Sequence, residues 1–537
     1  MRKLFICASI LTTTVVLLTG CNSILNKKKK EIVQDVTITH QTSFNNLFLD
    51  SATLEGFISS NDTFKPYRSQ YFDFYKQRNY EYAWFDTSGP AEQAHNFLNL
   101  LNNTILGLAD SSLYNAKLYR LYNGITGPDS LKYRDSIPET ELFLTGQFFA
   151  YAAKVYKGTD SDIVRLGWFI PRKKVNLTAL LDSVIQTKAT ETDQFVPLNS
   201  QYKKLEAFLP KYSELQKKGG WDSIPRPAKL LRLGTRDTII AAIKQRLFNL
   251  GDLSFNDSTN IYDSALLPGV KSFQQRMGLG ADGVIGGKMV DELNVPIATR
   301  VQQLLVNLER LRWMPADTES NYVFVNIPEY KLYVYDSAKV SFTMNVIVGT
   351  AANNTVIFNG NLKYVVFAPY WNVPPSIVQK EVLPGIKKNP NYLARNNMEI
   401  TGHSGGLPEV RQKPGEKNSL GLVKFLFPNN YNIYLHDTPN RNLFTEASRS
   451  FSHGCIRIGE PKKFAEYLLR SDTVKYSPHN IDSLMHSPKE IWVTLNKTVP
   501  VFIGYFTAWV DSQGVLNFRK DIYKHDDAMA AKLFVAK

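Results

Sequence analysis

Hydrophobic periodicity turns from helical to strand-like just after residue 312. Upstream, apolar residues recur at helical spacing. Phe97, Leu98, Leu100 and Leu101 share one side of the segment from Ala94 to Leu101, and Glu139 to Tyr156 carries Leu142, Phe143, Phe148, Phe149 and Ala152. After the helix from Ile297 to Arg312 the period becomes two. Tyr322 to Ile327, Lys331 to Tyr335 and Val340 to Val348 are rich in β-branched and aromatic residues, with Pro328-Glu329 and Asp336-Ser337 between them. Leu362 to Phe367 and Asn432 to Leu435 continue the same sheet system. The pattern predicts a multidomain α+β chain: a helical part followed by a mainly-β, sandwich-like domain of successive antiparallel strands. With 537 residues, a single small module is excluded.

The helical part divides again. Residues 50–228 read as one helical domain without a catalytic constellation. Residues 229–296 read as a separate bundle of short helices, with Ile239, Ile243 and Leu247 on the first and Val270, Phe273 and Met277 on the second. The turn Ala281-Asp282-Gly283-Val284-Ile285-Gly286 leads into the third. Phe273-Gln274 and Asp282 to Gly286 are the marks by which this bundle resembles the peptidoglycan-binding domain type 1.

The N-terminus carries its own message. Arg2 and Lys3 precede an apolar run from Leu4 to Leu18, which ends in Leu18-Thr19-Gly20-Cys21. Residues 1–20 therefore read as a lipoprotein signal peptide, with cleavage before Cys21 and lipidation of its thiol. The run is short for a membrane span, and nothing later approaches 18 consecutive apolar residues. Residues 21–49, with Lys27 to Lys30, read as a solvated linker. Lys plus Arg exceed Asp plus Glu by 14, a balance that suits an anionic partner, and export removes nucleic acid from the candidates. Of three cysteines, Cys7 leaves with the signal and Cys21 carries lipid, so Cys455 is the one remaining thiol. No intramolecular disulfide forms.

That thiol sits in suggestive company. Tyr434-Leu435-His436 ends a strand, and sixteen positions after the histidine comes Ser452-His453-Gly454-Cys455-Ile456-Arg457. Attack on an amide needs a thiolate, and an imidazole nearby can take the thiol proton and later return one to the leaving amine. Gly454 is the residue type that lets a backbone turn aim N–H groups at a developing oxyanion. Singly, each residue has an ordinary explanation; together they point to nucleophilic catalysis. No His-x-x-x-His or paired-carboxylate pattern supplies a metal, and none is required.

His436, its spacer and Ser452-His453-Gly454-Cys455 resemble the L,D-transpeptidase catalytic domain, also called YkuD. Further matches are Tyr370 to Ile377, Arg411 to Gly415, Asn418 to Gly421, Lys424-Phe425 and the tail Thr507 to Asp511. Arg457, where many members have asparagine, fits the large subgroup that adds a helical scaffold and a peptidoglycan-binding domain. The resemblance implies that Cys455 is the nucleophile and His436 the base, oriented by a neighbouring main-chain carbonyl. Gly454 and Cys455 N–H groups would form the oxyanion hole, and Ser452 and His453 would shape the pocket. Arg457 is expected in a structural ion pair or, less in keeping with its place after a nucleophile, as a carboxylate clamp.

The implied domains are a catalytic domain at 297–499 and a C-terminal strand and tail at 500–537. A lid at 371–425, rich in Pro, Gly and Asn and expected to be irregular, would enclose substrate with Tyr370, Trp371 and Arg411. The implied reaction is acyl transfer between peptidoglycan stem peptides, without cofactor, at the cell envelope. Partners would be stem peptides, glycan, a membrane reached through lipidated Cys21, and carbapenem-type acylating inhibitors. Two alternatives stand beside it: an L,D-carboxypeptidase with water as acceptor, and a noncatalytic wall-binding lipoprotein.

Overall fold

The computed structural model describes residues 47–108, 111–158, 164–171, 175–189, 199–315 and 320–534. The signal peptide, Cys21 and the lysine run expected of the linker lie outside the described residues. The described chain divides into two compact units, one of residues 47–105, 111–152 and 176–189, the other of the remainder. This division departs from the sequence boundaries, because helices near 200–217 and the bundle at 229–296 share one continuous core with the strands that follow.

The first unit is helical: α1 (Ser51–Ser60), α2 (Arg68–Gln77), α3 (Glu92–Leu108), α4 (Ala116–Thr126), α5 (Ile137–Ala152) and α6 (Leu177–Gln186). Side-chain caps set several starts. Asp50 accepts the Thr53 N–H at 2.6 Å, Asn115 that of Leu118 at 3.1 Å and Asn176 that of Thr178 at 3.1 Å. Helix α5 is buried almost all round and brings a carboxylate inside. Glu141 accepts from the Ala83 and Trp84 amides (2.7 and 3.0 Å) and from the Tyr75 hydroxyl (2.9 Å). Desolvation nevertheless raises its pKa to about 7. Glu141→Leu leaves two buried N–H groups unmet, and we expect it to lower the unit's unfolding free energy by about 3 kcal/mol. Denaturant unfolding checks this; an unchanged midpoint contradicts it.

The second unit starts from α7 (Ser200–Glu206) and α8 (Leu209–Lys217), then the bundle α9 (Ile239–Leu250), α10 (Leu266–Arg276) and α11 (Gly287–Leu293). The Phe273-Gln274 and Asp282-Gly283 marks prove to be one device. The Gln274 side chain donates to Asp282 Oδ1 (2.9 Å) and accepts the Gly283 N–H (2.8 Å), fixing a turn in which Gly283 has φ +75°. Helix α12 (Ile297–Trp313) follows and is buried on nearly every side. Its polar groups are paired: Arg310 with Asp526 at 2.5 Å, Arg312 with Glu309 at 2.6 Å, and Asn307 with Thr507 at 2.7 Å.

The strands of this second unit are β1 (Tyr322–Asn326), β2 (Lys331–Asp336), β3 (Lys339–Gly349), β4 (Phe358–Phe367), β5 (Trp371–Asn372), β6 (Met398–Ser404), β7 (Leu407–Gln412), β8 (Val423–Leu426), β9 (Leu435–His436), β10 (Ser450–Ser452), β11 (Ile456–Ile458), β12 (Ile491–Gly504), β13 (Ala508–Val510) and β14 (Leu516–Phe518). Nine of them form one sheet in the order β10-β3-β11-β9-β8-β4-β12-β1-β2, and β2 also pairs with β3, so the sheet closes on itself. Successive β1, β2 and β3 are antiparallel, whereas β9 and β11 run parallel. The C-terminal strand β13 pairs with β14 in a separate hairpin.

Two expectations are corrected here. The stretch 371–425 is not irregular: β5, β7 and β6 form a three-stranded sheet over Val373, Ile377, Val378, Val382 and Val410, and β8 already belongs to the main sheet. The strand expected at Asn432 to Leu435 shrinks to Leu435–His436. The Asn429 side chain causes this, bonding the main chain at Phe427, Tyr431 and Ile433 and winding the approach into a turn in which Asn432 has φ +55°.

Candidate active site

Alternation places the chemistry. In the registers β8–β9 and β9–β11, Lys424 lies opposite His436 and His436 opposite Arg457. The neighbouring row, Phe425, Leu435 and Ile456, is fully buried core. Period two therefore sends the apolar row inward and Lys424, His436 and Arg457 to the other face.

His436 is buried, and its Nδ1 donates to the main-chain carbonyl of Asp437 at 2.5 Å. That bond leaves Nε2 without a proton while the ring is neutral. Desolvation first, then the charge of Arg457, lower its pKa to about 3, opposed by the Asp437 and Leu420 carbonyls. Asp437 itself is held by the Leu422 and Thr438 amides and Arg441, at 2.8, 2.6 and 2.5 Å.

Cys455 follows a tight turn. Gly454 has φ +116°, which glycine alone adopts without strain. The Ser452 hydroxyl staples the turn, accepting the Gly454 N–H at 3.1 Å and donating to the Cys455 carbonyl at 2.5 Å. Gly454 N–H is thereby committed to Ser452, and the expected pair of open oxyanion amides reduces to one, because the staple uses the first. The Cys455 N–H meets no acceptor among the described residues. Ser452 is buried under the turn.

The thiol donates to the Asn432 carbonyl at 3.5 Å and faces the Tyr434 hydroxyl. Burial pushes its pKa above the ordinary 9.0, opposed by Tyr434 and the Arg457 charge. No hydrogen bond joins it to His436 among the described residues; the Tyr434 ring lies beside the imidazole, centroids 5.6 Å apart. Sequence reasoning missed Tyr434. Its signal was there, since a residue two before His436 on an extended segment shares its face.

Arg457 corrects another expectation. It forms no ion pair among the described residues, and its Nε is buried without a partner. The strand places it beside His436 and Cys455, and no carboxylate among the described residues forms a salt bridge with it.

The remaining candidates tie the lid down. Tyr370 N–H donates to Glu490 at 3.0 Å, and Glu490 also receives Lys424 at 3.2 Å. The Arg411 guanidinium lies 4.2 Å over the Tyr370 ring and bonds Glu399 at 2.5 Å. Trp371 pairs with Gln412 across β5–β7 and packs on the lid core. The structure thus gathers Tyr370, Trp371 and Arg411 at the base of the 371–425 stretch. His453, half exposed, instead reaches up to the lid, its Nε2 3.6 Å from Glu381. Among the described residues no His, Cys, Asp or Glu cluster could hold a metal ion, and no helix is long and apolar enough to cross a membrane.

Comparison with known proteins decides what this arrangement belongs to. Residues 320–475 match the family model described as the L,D-transpeptidase catalytic domain. The chain carries an L,D-transpeptidase catalytic domain. Associated with it are a Scaffold domain at 69–209 and a putative peptidoglycan binding domain at 236–293. A curated relative, the putative L,D-transpeptidase of Haemophilus influenzae, is 34% identical over 241 residues, which are 42% of this chain and 48% of that protein. The chain spans about half the length of the curated relative it matches. Among solved structures, the L,D-transpeptidase (residues 123–326) of Xylanimonas cellulosilytica is 13% identical and covers 52% of this chain and 100% of its own, with a TM-score of 0.18. That of Stackebrandtia nassauensis is 16% identical and covers 52% and 98%, with a TM-score of 0.22. Those scores are too low to bear on the fold, and the transpeptidase domain is assigned on the family match.

Proposed function

We propose that this chain is an envelope enzyme that crosslinks peptidoglycan stems by L,D-transpeptidation, with Cys455 as nucleophile. The observation that carries the reading is that the thiol, a Cys455 N–H without an acceptor among the described residues and the Tyr434 hydroxyl meet at one turn, with His436 on the adjacent strand. Cys455 gives its proton to His436 Nε2 as Sγ attacks the third-residue carbonyl of a tetrapeptide stem. The Cys455 N–H and the Tyr434 hydroxyl receive the oxyanion. On collapse the leaving amine of D-alanine takes the proton from Nε2, and a thioester remains. An acceptor amine then passes its proton to Nε2, attacks the thioester and returns the thiol. The Arg457 charge favours the thiolate. Lipidated Cys21 would tether the enzyme at a membrane, and the bundle at 229–296 would hold it on the wall. Incubation with a disaccharide-tetrapeptide tests the reaction: D-alanine release together with a crosslinked dimer is expected. Release with a monomeric tripeptide alone would make the chain an L,D-carboxypeptidase.

The lid, in this reading, keeps the thioester dry until an amine arrives. Asn372 and Arg411 are cross-strand partners on β5 and β7, so a short turn can replace residues 373–410. That variant should still acylate and should show a higher ratio of hydrolysed to crosslinked product. An unchanged ratio in a folded variant contradicts the lid's role.

A further inference from the structure

The Gly454–Cys455 peptide unit has two ends, and only one faces the reaction. Its N–H belongs to Cys455 and meets no acceptor among the described residues; its carbonyl belongs to Gly454 and accepts the Thr355 hydroxyl at 2.8 Å. A trans peptide is planar, so its N–H and C=O point in opposite directions and gripping one end aims the other. Gly454 at φ +116° has no side chain to resist rotation of this peptide.

Thr355 is itself clamped. Its Oγ1 accepts the Gly349 N–H at 2.9 Å, and its own N–H donates to the Tyr523 hydroxyl at 3.3 Å. The Tyr523 hydroxyl in turn donates to the Gly349 carbonyl at 2.6 Å. Both side chains are buried, Thr355 at 1% and Tyr523 at 8% exposure. Tyr523 is fixed from behind as well, its N–H donating to the Tyr505 hydroxyl at 2.9 Å, which donates to Asp521 at 2.5 Å. The chain of bonds runs from the C-terminal segment, past the end of β3, to the carbonyl behind the nucleophile's amide. Tyr523 lies well beyond residue 475, where the match to the catalytic domain ends.

We infer that Thr355 is a positioning residue that aims the Cys455 N–H at the oxyanion, and that Tyr523 makes the C-terminal segment part of the catalytic apparatus. A hydroxyl donating to the Gly454 carbonyl also polarises the same peptide and strengthens its N–H as a donor. The inference rests on the acyl-transfer reading and adds to it the residues that set the oxyanion donor's direction.

The test separates acylation, which needs the oxyanion donor, from alkylation, which does not. Full-length wild type, Thr355→Val, Thr355→Ser and Tyr523→Phe are reacted with a disaccharide-tetrapeptide, and separately with iodoacetamide, with modification of Cys455 read by peptide mapping. Thr355→Val keeps the volume and loses the hydroxyl. It should acylate at least ~10-fold more slowly, short of the 10²- to 10³-fold typical of deleting an oxyanion donor outright, through kcat and with little change in KM. Its alkylation rate and the pH profile of that rate should match wild type. Thr355→Ser should recover most of the loss, and Tyr523→Phe should fall between. Wild-type acylation by Thr355→Val, or equal losses of acylation and alkylation, would overturn the inference. A wild-type chain that alkylates at Cys455 but never acylates would overturn the transfer reading, and this inference with it.

Discussion

Cys455→Ala is expected to remove D-alanine release and crosslinking altogether, a loss of at least ~10⁴-fold, while the chain folds as before. The thiol's bonds are few: one to the Asn432 carbonyl at 3.5 Å and a contact with Tyr434. What holds the turn is the Ser452 staple and the Thr355 bond, and neither involves the sulfur. Unfolding midpoint and turnover measured on the same preparation separate the two effects. Residual turnover within about tenfold of wild type would remove Cys455 from the nucleophile's role.

His436→Ala should slow acylation by about 10²- to 10⁴-fold, the range of positioned acid-base catalysis, and His453→Ala should cost much less. The pH dependence follows from the directions of two shifts. The imidazole, at about 3, is already neutral throughout the working range, so no rise in rate with His436 titration is expected near its ordinary 6.5. Burial pushes the thiol above 9.0, so the resting pair is neutral and alkylation of Cys455 should climb with pH into the alkaline range. An imidazolium–thiolate pair would instead give alkylation that levels off below neutrality. Stopped-flow or quenched alkylation across pH 4 to about 10 distinguishes the profiles. A plateau in the acid range, or a larger loss at His453 than at His436, would contradict the assignment of the base.

Much of this arrangement is legible in residue order, for physical reasons that differ from place to place. The alternation of Tyr322 to Val348 specifies β1 to β3 because each strand buries one face. Leu435 and His436 could be assigned to a strand for the same reason. The stretch 371–425 is legible as an insertion but its regular elements are not, because prolines and asparagines interrupt them, although Gly405-Gly406, both at positive φ between Ser404 and Leu407, is a hairpin turn in plain sight. Arg457 could not be placed, since the partner expected of its guanidinium is a nonlocal matter, and among the described residues its buried Nε has none. Thr355 was equally invisible: it comes into contact with Gly454 only when β3, β10 and the C-terminal segment meet, across 99 positions of sequence.

The most direct test of the central claim is the mass of the intact protein after brief exposure to a disaccharide-tetrapeptide without acceptor, followed by peptide mapping. Acyl transfer through a thioester predicts an adduct equal to the donor minus D-alanine, confined to the peptide containing Cys455, and its disappearance when an acceptor stem is added. Crosslinked product formed by a chain whose Cys455 never carries that adduct would contradict it.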